Sequence, residues 1–269
     1  MTPSTESAAS VPSPKIPQLS VVLATLNERR NLPELLDRIR RQPLAEYELL
    51  VVDDGSTDGT REFLREAAST DPRLRLLFHE GKQTTLRAQC QGIDAARGRF
   101  VVVMDADLQH PPELLGPMLG QLRSGSALVV ASRYAVGGSA GPRTAFRWSV
   151  SRGAEWLAKL LLPPSRGISD PISGYFGFRR DIWVPLHPLY RGYKLLVFLL
   201  VMAEGDRVTE VSYQFTPRME GASKVTQGLA FVRIFAIEVL LALRFRGEIR
   251  SRRKNPASVP ASETEVKAV

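Results

Sequence analysis

Short apolar runs alternate with segments of helical character along the first half of the chain. The runs occupy residues 19–24, 47–52, 74–78, 100–104 and 128–131. Between them, Asn31 is suited to cap a helix that starts at Leu32, a second helix starts near Thr60, and further helices fit residues 84–96 and 113–123. Strands that are apolar on both faces and alternate with helices predict a mostly parallel sheet covered by helices on both sides.

The composition of the chain changes at both ends. Residues 1–17 are rich in Ser and Pro, and residues 255–269 are mixed and polar, so we expect both tails to be disordered. Between them, residues 18–227 are long enough for one large α/β domain, and residues 228–254 form a separate helical segment.

Positive charge is concentrated in the helical segment. Residues 244–254 carry six cations against the single Glu248, which accounts for +5 of the net charge of +8. The preceding apolar stretch is interrupted by Arg233, Glu238 and Arg244, and the apolar run at 195–203 is too short to cross a bilayer. Either this helix lies in a membrane interface, or it packs on the domain or in a dimer. The adjacent cations favour lipid.

Three further observations bear on location and partners. Cys90 is the only cysteine, which excludes an intrachain disulfide and allows a reducing compartment. The N-terminus has no basic and then apolar secretory pattern. The basic stretch contains Phe245 as its only aromatic residue, whereas nucleic-acid surfaces interleave cations with stacking aromatics. We therefore expect a cytoplasmic protein, peripheral on the cytoplasmic face of a membrane, that binds no nucleic acid.

The strongest chemical signal follows the fourth apolar run. Asp105 and Asp107 stand one residue apart at its carboxyl end, with Gln109 two residues further on. Ligands of open α/β sheets bind at this end of the strands, and carboxylate and amide oxygens suit a hard divalent cation. The alternative is an acidic turn that caps the next helix. With the partners described below, a metal site at Asp105, Asp107 and Gln109 is favoured.

A second acidic pair follows the second apolar run. Asp53 and Asp54 open the segment Asp-Asp-Gly-Ser-Thr-Asp-Gly-Thr. An acidic residue at this position can accept hydrogen bonds from a base or ribose. It can equally shape a strand-to-helix turn. The sequence supports both roles, one for each aspartate.

Cations are the third signal, and they come late in the chain. Arg133 follows the fifth run, Arg147 lies beyond it, and Arg218 and Lys224 flank a Gly/Ser segment. Guanidinium groups near a metal–diphosphate site would bind phosphate oxygens in a bidentate manner. The histidines His79, His110 and His187 lack the spacing of metal ligands, so surface or loop positions are expected for them.

Six motifs occur in a fixed order between residues 19 and 245. They are Thr25-Leu26-Asn27-Glu28, Asp53 through Thr60, Met104 through Pro111, Ser132-Arg133-Tyr134, Ile168 through Tyr175, and Arg218 through Lys224. Together they resemble the family 2 glycosyltransferases, in the dolichol-phosphate mannosyltransferase (polyprenyl-phosphate glycosyltransferase) branch. The resemblance implies a GT-A fold and inverting transfer of one sugar from a nucleotide sugar to a polyprenyl phosphate.

The resemblance also implies roles for individual residues. Glu28, Val52 and Asp54 match the nucleoside-binding set, and Ala24 and Leu26 stand where the family commonly has Pro and Tyr. Asp105, Ala106 and Asp107 match the donor-diphosphate and metal set, with Gln109 as an added ligand of Mg²⁺ or Mn²⁺. Arg133 matches a phosphate-contacting arginine, Arg218 and Lys224 match the late diphosphate clamp, and Arg147 is assigned to the acceptor phosphate. Asp107, Arg133 and Arg218 are the predicted catalytic residues.

The type of acceptor follows from the chemistry of the attacking oxygen. A hydroxyl must lose a proton as it attacks and needs a general base, whereas a phosphate monoester is already ionised at pH 7. The second half of the chain offers arginines rather than a matching base. These arginines agree with a dolichyl or polyprenyl phosphate acceptor, and the resemblance implies mannose transfer from GDP-mannose to it. Transfer of glucose or N-acetylglucosamine from a UDP-sugar, a hydroxyl acceptor, and a membrane-anchoring subunit stay open.

Overall fold

The structure is a computed structural model in which a seven-stranded sheet carries the helices. It describes residues 16–81, 83–139, 153, 155–156, 158–160, 162, 165–185, 194–215 and 229–254. The strands are β1 (Leu19–Thr25), β2 (Tyr47–Asp53), β3 (Leu74–Phe78), β4 (Phe100–Asp105), β5 (Leu128–Ser132), β6 (Phe176–Arg179) and β7 (Val208–Ser212). The helices are α1 (Leu32–Arg40), α2 (Thr60–Thr70), α3 (Thr85–Ala95), α4 (Leu115–Arg123), α5 (Leu195–Met202) and α6 (Leu229–Lys254).

The strand order is β3-β2-β1-β4-β6-β5-β7. All neighbouring strands are parallel except β6, which runs antiparallel to both β4 and β5. The prediction of a mostly parallel sheet is confirmed. The five predicted strands match β1 to β5 to within one residue, whereas β6 and β7 were not predicted.

Two apolar layers cover the sheet, one on each face. One layer joins alternate strand residues such as Val21 and Val102 to α1 and α4. The other joins Val22 and Val103 to α3 and α5. The continuous apolar runs of β1 and β4 follow from this arrangement, because successive side chains of a strand point to opposite faces.

The C-terminal helix α6 packs against α5. Every residue of α5 is buried, and α6 contributes the buried residues Glu238, Val239 and Ala242. The face of α6 that carries these three residues is therefore packed on the domain, which was one of the expected arrangements. Ile237 and Leu240 lie on other faces of α6 and are 48% and 57% exposed. Among the described helices, none combines the length and hydropathy needed to span a bilayer.

Candidate functional site

The predicted acidic residues meet at the carboxyl edge of the sheet. The register of the parallel strands pairs Ala24 of β1 with both Val52 of β2 and Asp105 of β4. Three predicted site residues from three separate strands are therefore neighbours in space. Because carboxyl ends of parallel strands share one edge, this edge is the expected ligand-binding side of the fold.

A tight turn follows Asp105 and presents the acidic pair. Asp107 is buried, and its Oδ1 accepts a hydrogen bond of 3.2 Å from the backbone N–H of Gln109. Leu108 adopts a positive φ of 62°, which is uncommon for a side chain of this kind and reverses the chain within the turn. The Asp105 side chain is 39% exposed. The turn therefore combines one accessible and one enclosed carboxylate.

His110 stabilises this turn by a hydrogen bond to its backbone. Its Nδ1 accepts a hydrogen bond of 2.9 Å from the backbone N–H of Asp105, and its ring stacks on Tyr175 with a centroid distance of 5.0 Å. Burial lowers the pKa of His110, although Asp105 and Asp107 oppose this effect. A neutral ring with an acceptor at Nδ1 is consistent with both observations.

The expectation of a surface or loop position holds for the described histidines in its second form. His79 and His110 lie in loops, and both are buried. Each uses a ring nitrogen to hold a loop in place, a role that the absence of metal-ligand spacing does not reveal. His187 lies outside the described residues.

Gly174 allows the loop before β6 to approach Asp105. A Cβ atom at this position would lie 3.3 Å from Asp105 Oδ2 and 3.3 Å from His110 Cε1. This is tighter than ordinary van der Waals contact. A side chain here would press on the accessible carboxylate, which explains a glycine within the Ser-Gly-Tyr motif.

The loops after β1 and β2 are bound to each other. The Asn27 N–H donates to Ser56 Oγ at 2.8 Å, and Asn27 Oδ1 accepts from the Thr57 N–H at 2.9 Å. The Glu28 N–H donates to Thr60 Oγ1 at 3.1 Å. Asn27 has a positive φ of 56°, a conformation that asparagine tolerates better than most residues. The two predicted nucleoside-binding segments therefore form one surface.

Glu28 is oriented by the residue that was expected to cap α1. The Asn31 side chain donates to Glu28 Oε2 at 2.7 Å, and it makes no capping hydrogen bond to the helix. Asn31 therefore occupies the predicted N-cap position, but its side chain does not make the capping hydrogen bond that was expected. Its amide fixes the carboxylate of Glu28 instead.

The structure separates the roles of the two aspartates after β2. Asp53 is buried and pairs with Arg61 at 2.7 Å, and its Oδ2 also accepts from the Ser56 N–H. Asp54 Oδ1 accepts from the Gln83 N–H at 2.8 Å and lies 3.1 Å from His79 Nδ1. Asp53 thus shapes the turn, while Asp54 lies between the loops at the sheet edge.

On the other side of Asp105, Arg133 is held by Asp170. Its Nε and one terminal nitrogen donate to the two carboxylate oxygens at 2.7 and 2.8 Å. Although burial opposes the charged form, the hydrogen bonds and charge of Asp170 raise the pKa of Arg133. The guanidinium also lies over the rings of Tyr134 and Phe215. Arg133 is therefore a fixed cation with a defined orientation.

The sequence interpretation did not select Lys194, a half-buried cation whose pKa responds to charges of the site. It immediately precedes α5, and burial together with the charge of Arg133 lowers its pKa, while Asp105, Asp170 and Glu238 oppose the decrease. Lys194 thus shares the electrostatic environment of the accessible carboxylate. An isolated lysine before an apolar helix gives no pattern by which sequence alone would select it.

Three predicted site residues cannot be placed. Arg147, Arg218 and Lys224 lie outside the described residues. The structure does bring other predicted residues together at one edge of the sheet. They are Val52 and Asp54 at the end of β2, Ala24 on the neighbouring β1, and Asp105 and Asp107 at the end of β4 on its other side. Leu26, Ala106 and Gln109 lie in the connecting loops at the same edge.

The donor set of the acidic turn fits a divalent cation that is shared with a ligand. Within the described part of the chain, no group of three or more His, Cys, Asp and Glu side chains is arranged to enclose a metal ion. Asp105, Asp107 and Gln109 supply only a few oxygen ligands. That set suits Mg²⁺ or Mn²⁺, since Mg²⁺ in particular is bound by one or two carboxylates together with phosphate oxygens and water.

Comparison with known proteins identifies the family. The model of glycosyl transferase family 2 matches residues 20–183. The dolichol-phosphate mannosyltransferase of Pyrococcus furiosus is 36% identical over 86% of this chain, which spans 65% of that protein. The enzyme of the same name from Mycosarcoma maydis is 31% identical over 85% of this chain and 81% of its own length. The polyprenol monophosphomannose synthase of Mycolicibacterium smegmatis is 35% identical over 77% of this chain and 80% of its own.

Solved structures support the fold. Glucosyl-3-phosphoglycerate synthase from Mycobacterium tuberculosis, in complex with Mn²⁺, UDP and glucosyl-3-phosphoglycerate, superposes with a TM-score of 0.62 at 23% identity. The match covers 86% of this chain and 80% of that one. The Mg²⁺ and UDP complex of the same enzyme gives the same TM-score. The strand-end carboxylates, the GT-A fold and the relatives agree: this chain belongs to glycosyl transferase family 2, in the dolichol-phosphate mannosyltransferase branch.

Proposed function

We propose that this glycosyltransferase moves mannose from GDP-mannose to dolichyl or polyprenyl phosphate. One observation carries the proposal: along the sheet edge, Asp105 lies between loops that carry carboxylates and a fixed arginine. Glu28 and Asp54 follow β1 and β2 on one side, and Arg133 follows β5 on the other. The names of the relatives at 31–36% identity supply the sugar and the acceptor.

The donor nucleoside is assigned to the joined loops after β1 and β2. Glu28 and Asp54 have their carboxylates fixed by neighbouring side chains or backbone groups, so they are oriented before a ligand arrives. Ala24 and Val52 pair with each other at the ends of β1 and β2, from which these loops start. Carboxylates accept hydrogen bonds from the N–H groups of a base or the hydroxyls of a ribose.

The donor diphosphate is assigned to the acidic turn. Asp105, Asp107 and Gln109 would hold the Mg²⁺ or Mn²⁺ ion, which when bound supplies positive charge to neutralise the departing nucleoside diphosphate. The hydrogen bond from Gln109 to Asp107 and the support by His110 fix the turn beforehand. Arg218 and Lys224 are assigned to the same leaving group, as the motif resemblance implies.

The acceptor phosphate is assigned to the cationic side. A phosphate monoester with a second pKa of about 6 is largely dianionic at pH 7, so it needs orientation and charge neutralisation rather than a general base. Arg133 is fixed by Asp170 and keeps part of its planar group beyond the ion pair, since only two of its three nitrogens bond to Asp170. Arg147 is assigned to the same phosphate.

A membrane surface is the proposed place of reaction, because the acceptor is a lipid. Ile237 and Leu240 of α6 are exposed, and the arginine-rich end of the same helix begins with the exposed Arg244. Exposed apolar side chains beside cations favour an anionic lipid interface. We propose peripheral attachment to the cytoplasmic face, with an anchoring subunit as a further partner to test.

The test of substrate class is a direct transfer assay. Purified protein is incubated with Mn²⁺ or Mg²⁺, a polyprenyl phosphate and one labelled nucleotide sugar at a time: GDP-mannose, UDP-glucose or UDP-N-acetylglucosamine. Label that enters the organic phase only from GDP-mannose supports the proposal. Label that enters only from a UDP-sugar, or only when a sugar acceptor replaces the lipid, contradicts it.

The role of the acidic turn is tested by Asp107→Asn. We expect transfer to fall by at least about 100-fold, because loss of one anionic ligand weakens the electrostatic stabilisation of the leaving group. The melting temperature should stay within a few degrees. Asp181→Asn is the matched control, since Asp181 is exposed and lies at the opposite edge of the sheet. Full activity of the Asp107 variant would remove the turn from the mechanism.

A further inference from the structure

A glutamate on the last strand of the sheet is bound to the loop that carries Asp170. Glu210 lies in the middle of β7, and its Oε1 accepts three hydrogen bonds. The donors are the Ser169 N–H at 2.9 Å, the Ser169 hydroxyl at 2.8 Å and the Asp170 N–H at 3.3 Å. We propose that Glu210 is a positioning residue for Arg133, because it fixes the loop whose Asp170 orients the guanidinium toward the acceptor phosphate. This inference rests on the proposed function, which assigns that phosphate to Arg133.

The alternation of side chains along β7 turns Glu210 toward this loop. Val208 packs against the apolar layer of α5, and Glu210, two residues further on, points to the same face of the sheet. In the parallel register Glu210 lies beside Val130 of β5, and Ser132 at the carboxyl end of β5 shares that face. Ser169 lies at this end too, since its Oγ is 2.5 Å from Ser132 Oγ. The glutamate therefore reaches the loop from within the sheet.

The hydroxyl groups between Glu210 and the end of β5 form a chain with one direction. An ionised carboxylate only accepts hydrogen bonds, so the Ser169 hydroxyl donates to Glu210. The Ser132 hydroxyl therefore donates to Ser169, and its oxygen accepts from the Tyr134 N–H at 3.2 Å. Ser132 and Tyr134 are the two neighbours of Arg133 in the chain. The network that ends at Glu210 thus includes the residues on both sides of the arginine.

Asp170 transmits the position of the loop to Arg133. Besides the two bonds from the guanidinium, its Oδ2 accepts from the Arg133 N–H at 3.3 Å. Asp170 has no exposed surface, so its carboxylate has little freedom to compensate for a shift of its own backbone. The backbone N–H of the same residue is bound by Glu210. Loss of that anchor is therefore expected to move the carboxylate and, with it, the guanidinium.

A charge on an edge strand can also prevent aggregation, because a charge that points inward discourages pairing with a further strand. That use requires no particular partner for the carboxylate. Glu210 instead receives three hydrogen bonds from two consecutive residues, the second of which binds Arg133. The two uses differ in their consequences, since only the positioning role changes the affinity for the acceptor.

The experiment compares Glu210→Met with Glu210→Gln in the full-length protein. Methionine is similar in length but has no oxygen acceptor, whereas glutamine keeps an oxygen that can accept the same hydrogen bonds. We expect Glu210→Met to raise the KM for polyprenyl phosphate by roughly 3- to 30-fold and to change the KM for GDP-mannose by less than about twofold. Glu210→Gln should keep both values within about twofold of the wild type. An unchanged lipid KM in Glu210→Met, or equal rises of both KM values, would overturn the inference.

Thr209→Val on the same strand is the matched control. Thr209 Oγ1 donates to Ser126 Oγ at 3.0 Å on the opposite face of β7. This variant also removes a hydrogen bond from β7, but it should leave both KM values unchanged. A raised lipid KM in the control would mean that any disturbance of β7 has the same effect, contrary to the inference. If Glu210→Met does not fold, Ser169→Ala replaces it. This variant removes one of the three hydrogen bonds, so the lipid KM should rise by roughly 2- to 5-fold, and an unchanged value is again contrary.

A binding measurement without any transfer separates this inference from the proposed function. Geranyl phosphate, a short isoprenyl phosphate, is titrated by calorimetry into the wild type, Glu210→Met, Arg133→Gln and the double variant. Glu210→Met should weaken binding in the wild-type background and have little further effect beside Arg133→Gln, because the group that it positions is gone. Equal effects in both backgrounds would show that Glu210 acts through the fold alone. A wild type that binds geranyl phosphate but transfers no mannose contradicts the proposed function only, and one that does neither contradicts both.

Discussion

The buried pair of Arg133 and Asp170 makes a clear prediction at the residue scale. Asp170 has no exposed surface and accepts two hydrogen bonds from the guanidinium. Asp170→Asn would leave the arginine charge buried without its counterion. We expect the free energy of unfolding to fall by about 3 kcal/mol, measured by urea denaturation.

An exposed pair serves as the control for this variant. Arg179 and Asp181 form an ion pair at 3.1 Å in which the Asp181 side chain is 65% exposed. Its removal by Asp181→Asn should change stability by less than about 1 kcal/mol, because solvent screens such pairs. Similar losses for the two variants would mean that burial of Asp170 does not determine its contribution.

The pH dependence of stability is predicted to include Asp71. Hydrogen bonds from Arg73, and further ones from Arg40, lower the pKa of Asp71 from 3.8 to about 2. A carboxyl whose pKa is lower in the folded state stabilises the fold above its unfolded pKa and loses that contribution as pH falls toward the folded value. The loss should therefore occur between about pH 4 and pH 2 and amount to at most about 2 kcal/mol. Asp71→Asn should make the stability curve flatter in this window, measured by denaturation at a series of pH values.

The residues that form the site could be predicted only in part from the sequence. Asp105 and Asp107 could be selected because a buried strand leads directly into two carboxylates. The choice between Asp53 and Asp54 could not be derived from the residues alone, because it depends on contacts with Arg61, eight residues from Asp53, and with His79, 25 residues from Asp54.

At the scale of elements, α3 approaches the sheet at Gly92. A Cβ atom there would lie 2.4 Å from Val22 Cγ1 and 3.1 Å from Val52 Cγ2, closer than the core can accommodate. Gly92→Ala should therefore destabilise the protein by about 1–3 kcal/mol through overpacking, even though alanine favours a helix. Thermal unfolding measures the change.

At a glycine in an open position, substitution by alanine is expected to change stability in the opposite direction. Gly120 lies within α4, and a Cβ atom there would meet no atom within 4 Å. Gly120→Ala should be neutral or should stabilise by up to about 1 kcal/mol, because alanine has the better helix propensity and a less flexible unfolded chain. A stabilised Gly92→Ala would show that α3 can move away from the sheet.

The strands differed in how well sequence predicted them. β1, β2 and β4 are continuous apolar runs because both of their faces are covered, and the pattern marks them clearly. β6 has only four residues, and β7 is half-buried and mixed in polarity, so neither stands out from a loop. Their positions are set by pairing with β5, which is a tertiary contact.

At the scale of the whole molecule, the exposed part of α6 predicts membrane association. Replacing both Ile237 and Leu240 with Glu removes the exposed apolar surface, while the residues that contact α5 stay in place. We expect co-sedimentation with anionic vesicles to fall by at least about tenfold, because apolar burial and attraction of the cations act together. The melting temperature in solution should not change. Unaltered vesicle binding would discard an interfacial role for this helix face.

The domain-level prediction rested on alternation of strands and helices, and that part of the architecture could be read from sequence. How the C-terminal helix docks could not, because the apolar pattern of 228–245 suits a membrane interface and a protein surface equally well. Val239 and Ala242 are buried in the same apolar cluster as the residues of α5. Shape complementarity of this kind is a property of two partners together.

The reversed direction of β6 has a consequence for how such enzymes diversify. Val130 near the end of β5 pairs with Phe176 at the beginning of β6, so the long excursion between them leaves and re-enters the sheet at the same rim. Its returning part brings Asp170 to Arg133 and Gly174 to the acidic turn. Insertions or deletions within that excursion would alter the side that we propose binds the acceptor, while the strand ladder stays intact. New acceptor preferences can therefore arise there without a loss of foldability.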